Sequence, residues 1–325
     1  MTATTPTADV AVIIVSFNTR DDTVACVDSV LAHREDLDVQ VVVVDNGSVD
    51  GSPEALRRAH PEIDVIEAGE NLGFARAVNL GVHHAHAEYV LLLNPDAVML
   101  PESLPRMIAF ARSHPQYRVF GGRTLREDRT LEPSSCWGAP TLWSLTMFAT
   151  MLSTVFKHSP IFDPESLGRW PRDTVREVPI VTGCLMLVAR TDFLALGGMD
   201  EEIFLYGEDA EFSARAAAHG MSLVVVPEAT IIHTVGGSTA SGGSKGSMVL
   251  AGKVTYLDKV WTPRRAAIGK FLLLTGVAAR ALLEKSLRRP HRPWSTVWQR
   301  RNDWRAGYPH AEAALFGRQI ATSHS

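Results

Sequence analysis

Runs of aliphatic and β-branched residues alternate with amphipathic stretches through the N-terminal third of the chain. Strands are predicted over residues 10–17, 39–45, 65–67 and 89–94, and helices over 21–32, 53–59 and 74–84. Near-continuous apolar strands joined by crossover helices predict an α/β fold with a mostly parallel, Rossmann-like sheet covered on both faces. Each strand runs out into polar or small residues: Ser16 and Asn18, then Asp45 to Ser48, then Asn71 to Gly73, then Asn94, Pro95 and Asp96. Open α/β sheets bind ligands outside the carboxyl ends of their strands, so these tips are expected to share one crevice.

Beyond the sheet half, residues 182–188 read as a buried strand entered from the polar turn Thr182-Gly183. A dense acidic patch follows, with Asp200, Glu201, Glu202, Glu208 and Asp209 close together in sequence. Such crowding is costly unless a cation, a partner or solvent compensates it. A helix is predicted from Glu208 to about His219, then apolar strands over 223–226 and 231–233, the last ending at His233 before a Gly/Ser loop.

Several of these positions suit chemistry, and each has a plainer alternative. Asp96, a hard carboxylate beside the Asn94 amide, suits Mg²⁺ or Mn²⁺ holding a diphosphate, although the same triplet makes an ordinary turn. Asp45 opens the sequence DNGSVDGS, which also serves as a loop and helix start without any ligand. Arg76 and Asn79 lie three apart on one helical face, beside small residues that would let a ligand approach; a solvated arginine is the alternative. Glu208 and Asp209 read either as helix N-terminal charge, favourable by about 0.3–1 kcal/mol each, or as a general base, with residues 204–206 walling off water. His233 can be structural, a metal ligand or a phosphate contact. His83, His84 and His86 fall near a helix C-terminus, where imidazolium complements the dipole. Neither G-x-G-x-x-G after the first strand nor G-x-x-x-x-G-K-[ST] is present, which argues against a dinucleotide dehydrogenase and a P-loop kinase.

At 325 residues and 46% hydrophobic, the chain can bury a large core. Cys26, Cys136 and Cys184 are widely spaced and suggest neither disulfides nor a zinc site, which fits a reducing cytoplasm. Residues 1–9 lack the features of a secretory signal and read as a disordered tail. Net charge is −4, yet residues 264–305 carry eleven Arg and Lys against Glu284 and Asp303, a local +9 that leaves −13 on the rest. That asymmetry points the C-terminal region at an anionic surface, a membrane rather than nucleic acid, since no nucleic-acid motif accompanies it.

Taken together, VSFN at 15–18, DNGSVDG at 45–51, NLGFARAVN at 71–79, LNPDA at 93–97, TGCLMLVAR at 182–190, FLYGEDAEF at 204–212 and His233 with Ser238 occur in the order found in family 2 glycosyltransferases. The chain most resembles their rhamnosyltransferase-like branch. The resemblance implies a GT-A catalytic domain over 10–240, with a nucleotide-binding half at 10–100 and an acceptor and catalytic-base half at 101–240, followed by a basic helical region at 241–325. It implies inverting transfer from a nucleoside diphosphate sugar, dTDP-L-rhamnose first and UDP-sugars second, to a glycan or polyprenyl-linked acceptor of the cell envelope. Carried over by motif, Asp45 binds the pyrimidine base, Arg76 and Asn79 hold the nucleotide, Asp96 ligates Mg²⁺ or Mn²⁺, His233 contacts metal or diphosphate, and Asp209 is the general base beside Glu208. Ser16, Asn18, Asn71, Asn94, Thr182 and Gly183 complete the expected substrate contacts. Asn94 stands where many members have the first carboxylate of Asp-x-Asp. Two other classes compete. A nucleotidyltransferase would need a basic Gly-rich loop after the first strand, and a non-catalytic sugar-nucleotide binder would have no use for Asp209.

Residues 133–156 contain no charge and several aromatics, an insertion that reads as a lid, a core helix or an interfacial segment. In the tail, nine residues separate Lys270 from Arg280, which reads as too short to cross a bilayer. At about 100° per residue, Lys270, Arg280, Glu284, Lys285 and Arg288 fall on one arc of roughly 140° and leave a broad apolar face. That face predicts either an interfacial helix on anionic lipid, which would make the protein peripheral on the inner face of the plasma membrane, or a helix packed on the catalytic domain.

Overall fold

The computed structural model of the chain describes residues 7–233, 242–288 and 291–316; Ser238 and Arg289 lie outside them. The N-terminal elements are β1 (Ala8–Ser16), α1 (Arg20–Ala32), β2 (Val39–Asp45), α2 (Ser52–Ala59), β3 (Asp64–Glu67), α3 (Phe74–His84), β4 (Ala87–Leu93), β5 (Ala97–Met99), α4 (Ser103–Ser113) and β6 (Tyr117–Leu125). Then come β7 (Cys136–Trp137), α5 (Leu142–Ala149), α6 (Leu152–Val155), β8 (Arg176–Glu177), β9 (Ile180–Val181), β10 (Leu185–Ala189), α7 (Arg190–Ala195), α8 (Glu208–Ala218) and β11 (Ser222–His233). The C-terminal region is helical: α9 (Gly242–Val260), α10 (Pro263–Ser286), α11 (Pro293–Gln299), α12 (Arg301–Trp304) and α13 (His310–Phe316). β1 begins at Ala8, inside the stretch expected to be a tail, because the Thr7 hydroxyl and amide both donate to the carbonyl of His86.

By contacts the chain divides into two compact units. The first comprises Met1–Trp137, Trp170–Met199 and Phe212–Ser238, and the second Gly138–Arg169, Asp200–Glu211 and Thr239–Ser325. The uncharged insertion and the acidic patch therefore group with the C-terminal helices, a division that sequence order alone does not show.

The first unit is built on a nine-stranded sheet of order β3-β2-β1-β4-β10-β6-β11-β5, with β8 added beside β11. β3, β2, β1 and β4 run parallel, and β2, β1 and β4 have the near-continuous apolar runs of strands buried on both faces. β10 is antiparallel to both β4 and β6, so the sheet is mixed beyond that point. The core lies along these strands, where Val12, Ile14, Val43, Leu91 and Leu187 are wholly buried, each contributing about 1.5–3 kcal/mol. β10 starts only at Leu185, because Thr182 to Cys184 form the turn out of β9. The two expected strands at 223–226 and 231–233 are one, β11, interrupted where its register with β6 jumps between Val225 and Thr230. Gly122 on β6 makes room for that bulge, since a Cβ there would stand 2.3 Å from the carbonyl oxygen of Ala229.

In the second unit α10 packs against α5, α9 and α11. A Cβ on Gly252 of α9 would collide with the Tyr206 carbonyl, so only glycine admits the turn leading to α8 there. The Tyr308 hydroxyl donates to the Leu205 carbonyl at 2.8 Å, and its amide donates to Thr255 Oγ1 at 2.7 Å. Of the two arcs expected on α10, the polar one is turned inward: Arg280 and Glu284 are buried. Arg280 lies 3.9 Å from the Phe148 ring centre and donates to the Phe148 carbonyl and to Thr154 Oγ1. Glu284 accepts from the amides of Trp294 and Ser295, capping the start of α11. With those charges satisfied internally, α10 is also long and apolar enough, by length and composition alone, to cross a membrane, which corrects the reading that it was too short.

Gly122→Ala is expected to push the β11 bulge off β6 and to lower stability by about 1–3 kcal/mol, read as a lower midpoint in urea unfolding.

Candidate active site

The sheet's register assembles the central cluster. β4 ends at Leu93, the chain turns through Asn94, Pro95 and Asp96, and β5 then pairs antiparallel with the end of β11, Ala97 opposite His233. That pairing brings Asp96 Oδ1 to 3.3 Å from His233 Nε2. The Asn94 amide nitrogen lies 3.1 Å from the same ring nitrogen, a donor for the imidazole in its neutral form. On the other side, Ser134 Oγ is 3.4 Å and Glu132 Oε2 is 3.9 Å from His233 Nδ1.

Glu132 had no place in the sequence reading. It arrives because the chain folds back after β6, with Leu125 bridging Leu131 and the Glu132 amide donating to Thr124. Its carboxylate accepts from the amide and hydroxyl of Ser134, and Thr182 Oγ1 holds the Ser134 carbonyl at 2.7 Å. The one sequence signal was its position as the last charge before the uncharged stretch.

Charge balance in this cluster is legible from its contacts. Burial alone would pull the His233 imidazole down, but Asp96 and Glu132 together push its pKa up to about 9. Burial raises Glu132, and its interactions with His233 and Ser134 more than offset that and hold it below the usual carboxylate range. Among the described residues, no set of three or more His, Cys, Asp and Glu is arranged to hold a metal by itself. One carboxylate and one imidazole nevertheless fit a cation that completes its shell with phosphate oxygens and water, as Mg²⁺-type ions commonly do.

The strand-tip residues divide into scaffolding and candidates for contact. Asp45 Oδ2 accepts from the amides of Gly47 and Ser48, while Oδ1 is buried without a partner. Gly47, at φ +81°, lets this loop approach the Glu70 backbone. Asn18 crosses to the same loop, its amide donating to Ser48 Oγ and its Oδ1 accepting from Val49. Asn71 joins Asn46 and the Gly73 amide, fixing the entry to α3. Ser16 is wholly buried among the hydroxyls of Thr19 and Thr23. Arg76 is half-buried in the first turn of α3. Gly183 packs under Phe74, where a Cβ would come within 2.9 Å of the ring.

Asn79 is engaged within the fold. Its amide donates to the Met199 carbonyl at 2.9 Å and its oxygen accepts from the Met199 amide at 2.8 Å. Three-residue spacing put it on the face of Arg76, but it is buried and holds the Gly197–Met199 turn. Gly198, at φ +74°, packs directly on that amide, and Arg215 donates to the Leu196 and Gly198 carbonyls.

Glu208 and Asp209 open α8, and residues 208–211 belong to the second unit. Asp209 is half-buried, and its Oδ1 accepts from the Ala210 amide at 2.7 Å. Burial, with the Asp209 charge adding to it, pushes Glu208 up to about 8, and its Oε2 is buried without a partner.

The sequence profile described as Glycosyl transferase family 2 matches residues 11–166, and one described as N-terminal domain of galactosyltransferase matches 173–235. The chain is 30% identical over 212 residues to the N-acetylglucosaminyl-diphospho-decaprenol L-rhamnosyltransferase of Mycobacterium tuberculosis, covering 62% of this chain and 68% of that protein. It is 25% identical over 221 residues to the low-salt glycan biosynthesis hexosyltransferase Agl10 of Haloferax volcanii, covering 66% of this chain and 64% of that one. In fold it is similar to the mannosyltransferase PcManGT from Pyrobaculum calidifontis, solved with GDP-Man and Mn²⁺, at TM-score 0.58 and 20% identity over 98% of this chain and 90% of that one.

Two outcomes are expected from this geometry. In an NMR titration without added metal, His233 should lose its proton near pH 9, and Asp96→Asn should move that midpoint down towards 6.5. Because the folded value is raised, the stabilisation from protonated His233 is fully present below about 6.5 and is lost as pH rises through about 9. Asn79→Ala should cost about 1–3 kcal/mol for each Met199 backbone group left unsatisfied, seen in thermal melts of the protein alone.

Proposed function

We propose that this chain, which belongs to glycosyltransferase family 2 and to its rhamnosyltransferase-like branch, transfers L-rhamnose from dTDP-L-rhamnose, with inversion, to a polyprenyl-linked acceptor in cell-envelope synthesis. The observation that carries the reading is the Asp96–His233 pair, one carboxylate and one imidazole 3.3 Å apart at the sheet's carboxyl edge. The relative from Mycobacterium tuberculosis is named for rhamnosyl transfer to a diphospho-decaprenol acceptor, which motivates both donor and acceptor. Such an acceptor resides in a bilayer, so the enzyme works as a peripheral protein at a membrane surface.

Asp96 and His233 would hold Mg²⁺ or Mn²⁺, the ion bound in the similar mannosyltransferase structure. When bound, the ion offsets charge that develops on the departing diphosphate. His233 must give up its proton to serve as a ligand, so metal binding releases protons and strengthens as pH rises. Asp45 offers its unpartnered Oδ1 as acceptor to the N–H of a pyrimidine base, which would relieve a buried, unsatisfied oxygen. Arg76 supplies positive charge to the nucleotide. Asp209 takes the proton of the acceptor hydroxyl as that oxygen attacks the anomeric carbon. Burial raises the Glu208 pKa, which favours Asp209 as the proton acceptor of the pair.

A thermal-shift panel of nucleotide sugars with Mn²⁺ or Mg²⁺ tests the donor: dTDP-L-rhamnose should stabilise most, ahead of UDP-sugars. Stabilisation by no nucleotide sugar would remove the proposal. Asp96→Ala should abolish transfer and metal-dependent stabilisation, while Asn94→Ala only weakens both. Asp209→Asn should lower turnover by roughly 10²–10⁴-fold while leaving the donor-induced shift in place, and undiminished turnover would rule it out as base.

A further inference from the structure

The outward face of α10 is unusual for a helix in a water-soluble fold. Ile268, Phe271, Leu282 and Leu283 are 51%, 64%, 68% and 43% exposed, and Leu272 is partly so. At about 100° per residue these five side chains fall within roughly 120° of one another. Soluble helices normally bury such a stripe and turn their charges outward. Here the reverse holds: Arg280 and Glu284 are enclosed, Arg280 between the Phe148 and Trp294 rings and Glu284 on the start of α11. Burial draws the Arg280 pKa down to about 10, so it remains charged at neutral pH inside its cage.

Enclosing Glu284 has a further effect, because it is the only acidic residue of α10. Lys270 is taken up by Asp258 at 2.7 Å. The exposed charges of the helix are Arg264 and Arg265 at its start and Lys285 at its end, with Arg288 just beyond. Arg264 and Lys285 are separated by about 30 Å along the axis, with the apolar residues between them. A second copy of the chain docking on this face would set cation against cation, whether the helices met parallel or antiparallel. A surface of anionic headgroups over acyl chains meets both requirements at once, accepting the apolar middle and pairing with the basic ends.

We propose that the outward face of α10 is a membrane-docking surface, which lies flat in the interface of an anionic bilayer with Phe271 and Leu282 inserted and Arg264, Arg265 and Lys285 on lipid phosphates. The inference deepens the proposed function, which places the acceptor in such a bilayer, by naming the surface that meets it. The depth is that of an interfacial helix, about 5–10 Å into the headgroup and acyl boundary.

Flotation of the full chain with vesicles of phosphatidylcholine alone, or mixed with phosphatidylglycerol, tests this. Binding is expected to the anionic vesicles and to weaken at high salt. The double variant Phe271→Glu, Leu282→Glu should lose binding by about tenfold or more, and Arg264→Gln should weaken it by roughly fivefold. These side chains are exposed, and circular dichroism melts check that the variants fold. Phe271→Trp supplies a second readout: its fluorescence should be quenched by brominated lipid in anionic vesicles. No binding to anionic vesicles, binding indifferent to the double variant, or a wild-type dimer that the double variant converts to monomer would each overturn the proposal. The donor-induced thermal shift, measured on the same samples, reports the sugar-nucleotide reading separately, so loss of either leaves the other standing.

Discussion

The antiparallel pairing of β5 with the end of β11 is the constraint on which the candidate active site depends. A strand's side chains alternate faces, so register decides which neighbours meet. With Ala97 opposite His233, the residue before β5 and the last residue of β11 become adjacent although far apart in sequence. A slip of one residue would send His233 to the other face of the sheet and leave Asp96 without it. The bulge in β11 and the bare backbone at Gly122 belong to the same requirement, since they absorb the extra residues that bring the strand to that register.

Three enclosed charged groups are given specific partners. His233 is set between two carboxylates, Arg280 between two aromatic rings, and Glu284 against two backbone amides. Asp45 Oδ1 and Glu208 Oε2 are buried without partners. Unpaired buried oxygens are expensive in a finished fold, and both belong to motifs that the family resemblance marks for substrate and catalysis. Burial raises the Glu208 pKa and so favours its neutral form, which lessens that cost.

Much of this was legible in the sequence. Strands with unbroken apolar runs announced a parallel sheet, and polar residues at their ends announced Asp45, Asp96 and His233. Glu132 was not legible, because nothing local reveals that the chain doubles back after β6 and lays a loop carboxylate beside a distant imidazole. The burial of Asn79 was not legible for a different reason: helical spacing reports that two side chains share a face, and it does not report which of them is buried. α10 shows the same limit on a larger scale. Its period separated a charged arc from an apolar one, while the choice of arc to bury was made by Phe148, Trp294 and the start of α11.

The hydrogen bond from Tyr308 to Leu205, together with the packing of Gly252 on Tyr206, bears on how this protein can be cut. The motif-bearing segment ends near residue 240, which invites a shortened version that keeps only the catalytic core. Yet the turn carrying Tyr206 and Gly207 into Glu208 and Asp209 rests on α9 and on a tyrosine near the C-terminus. Truncation at that apparent border would strip the acid-bearing turn of its support. A chain that keeps this turn as it stands therefore extends at least to Tyr308.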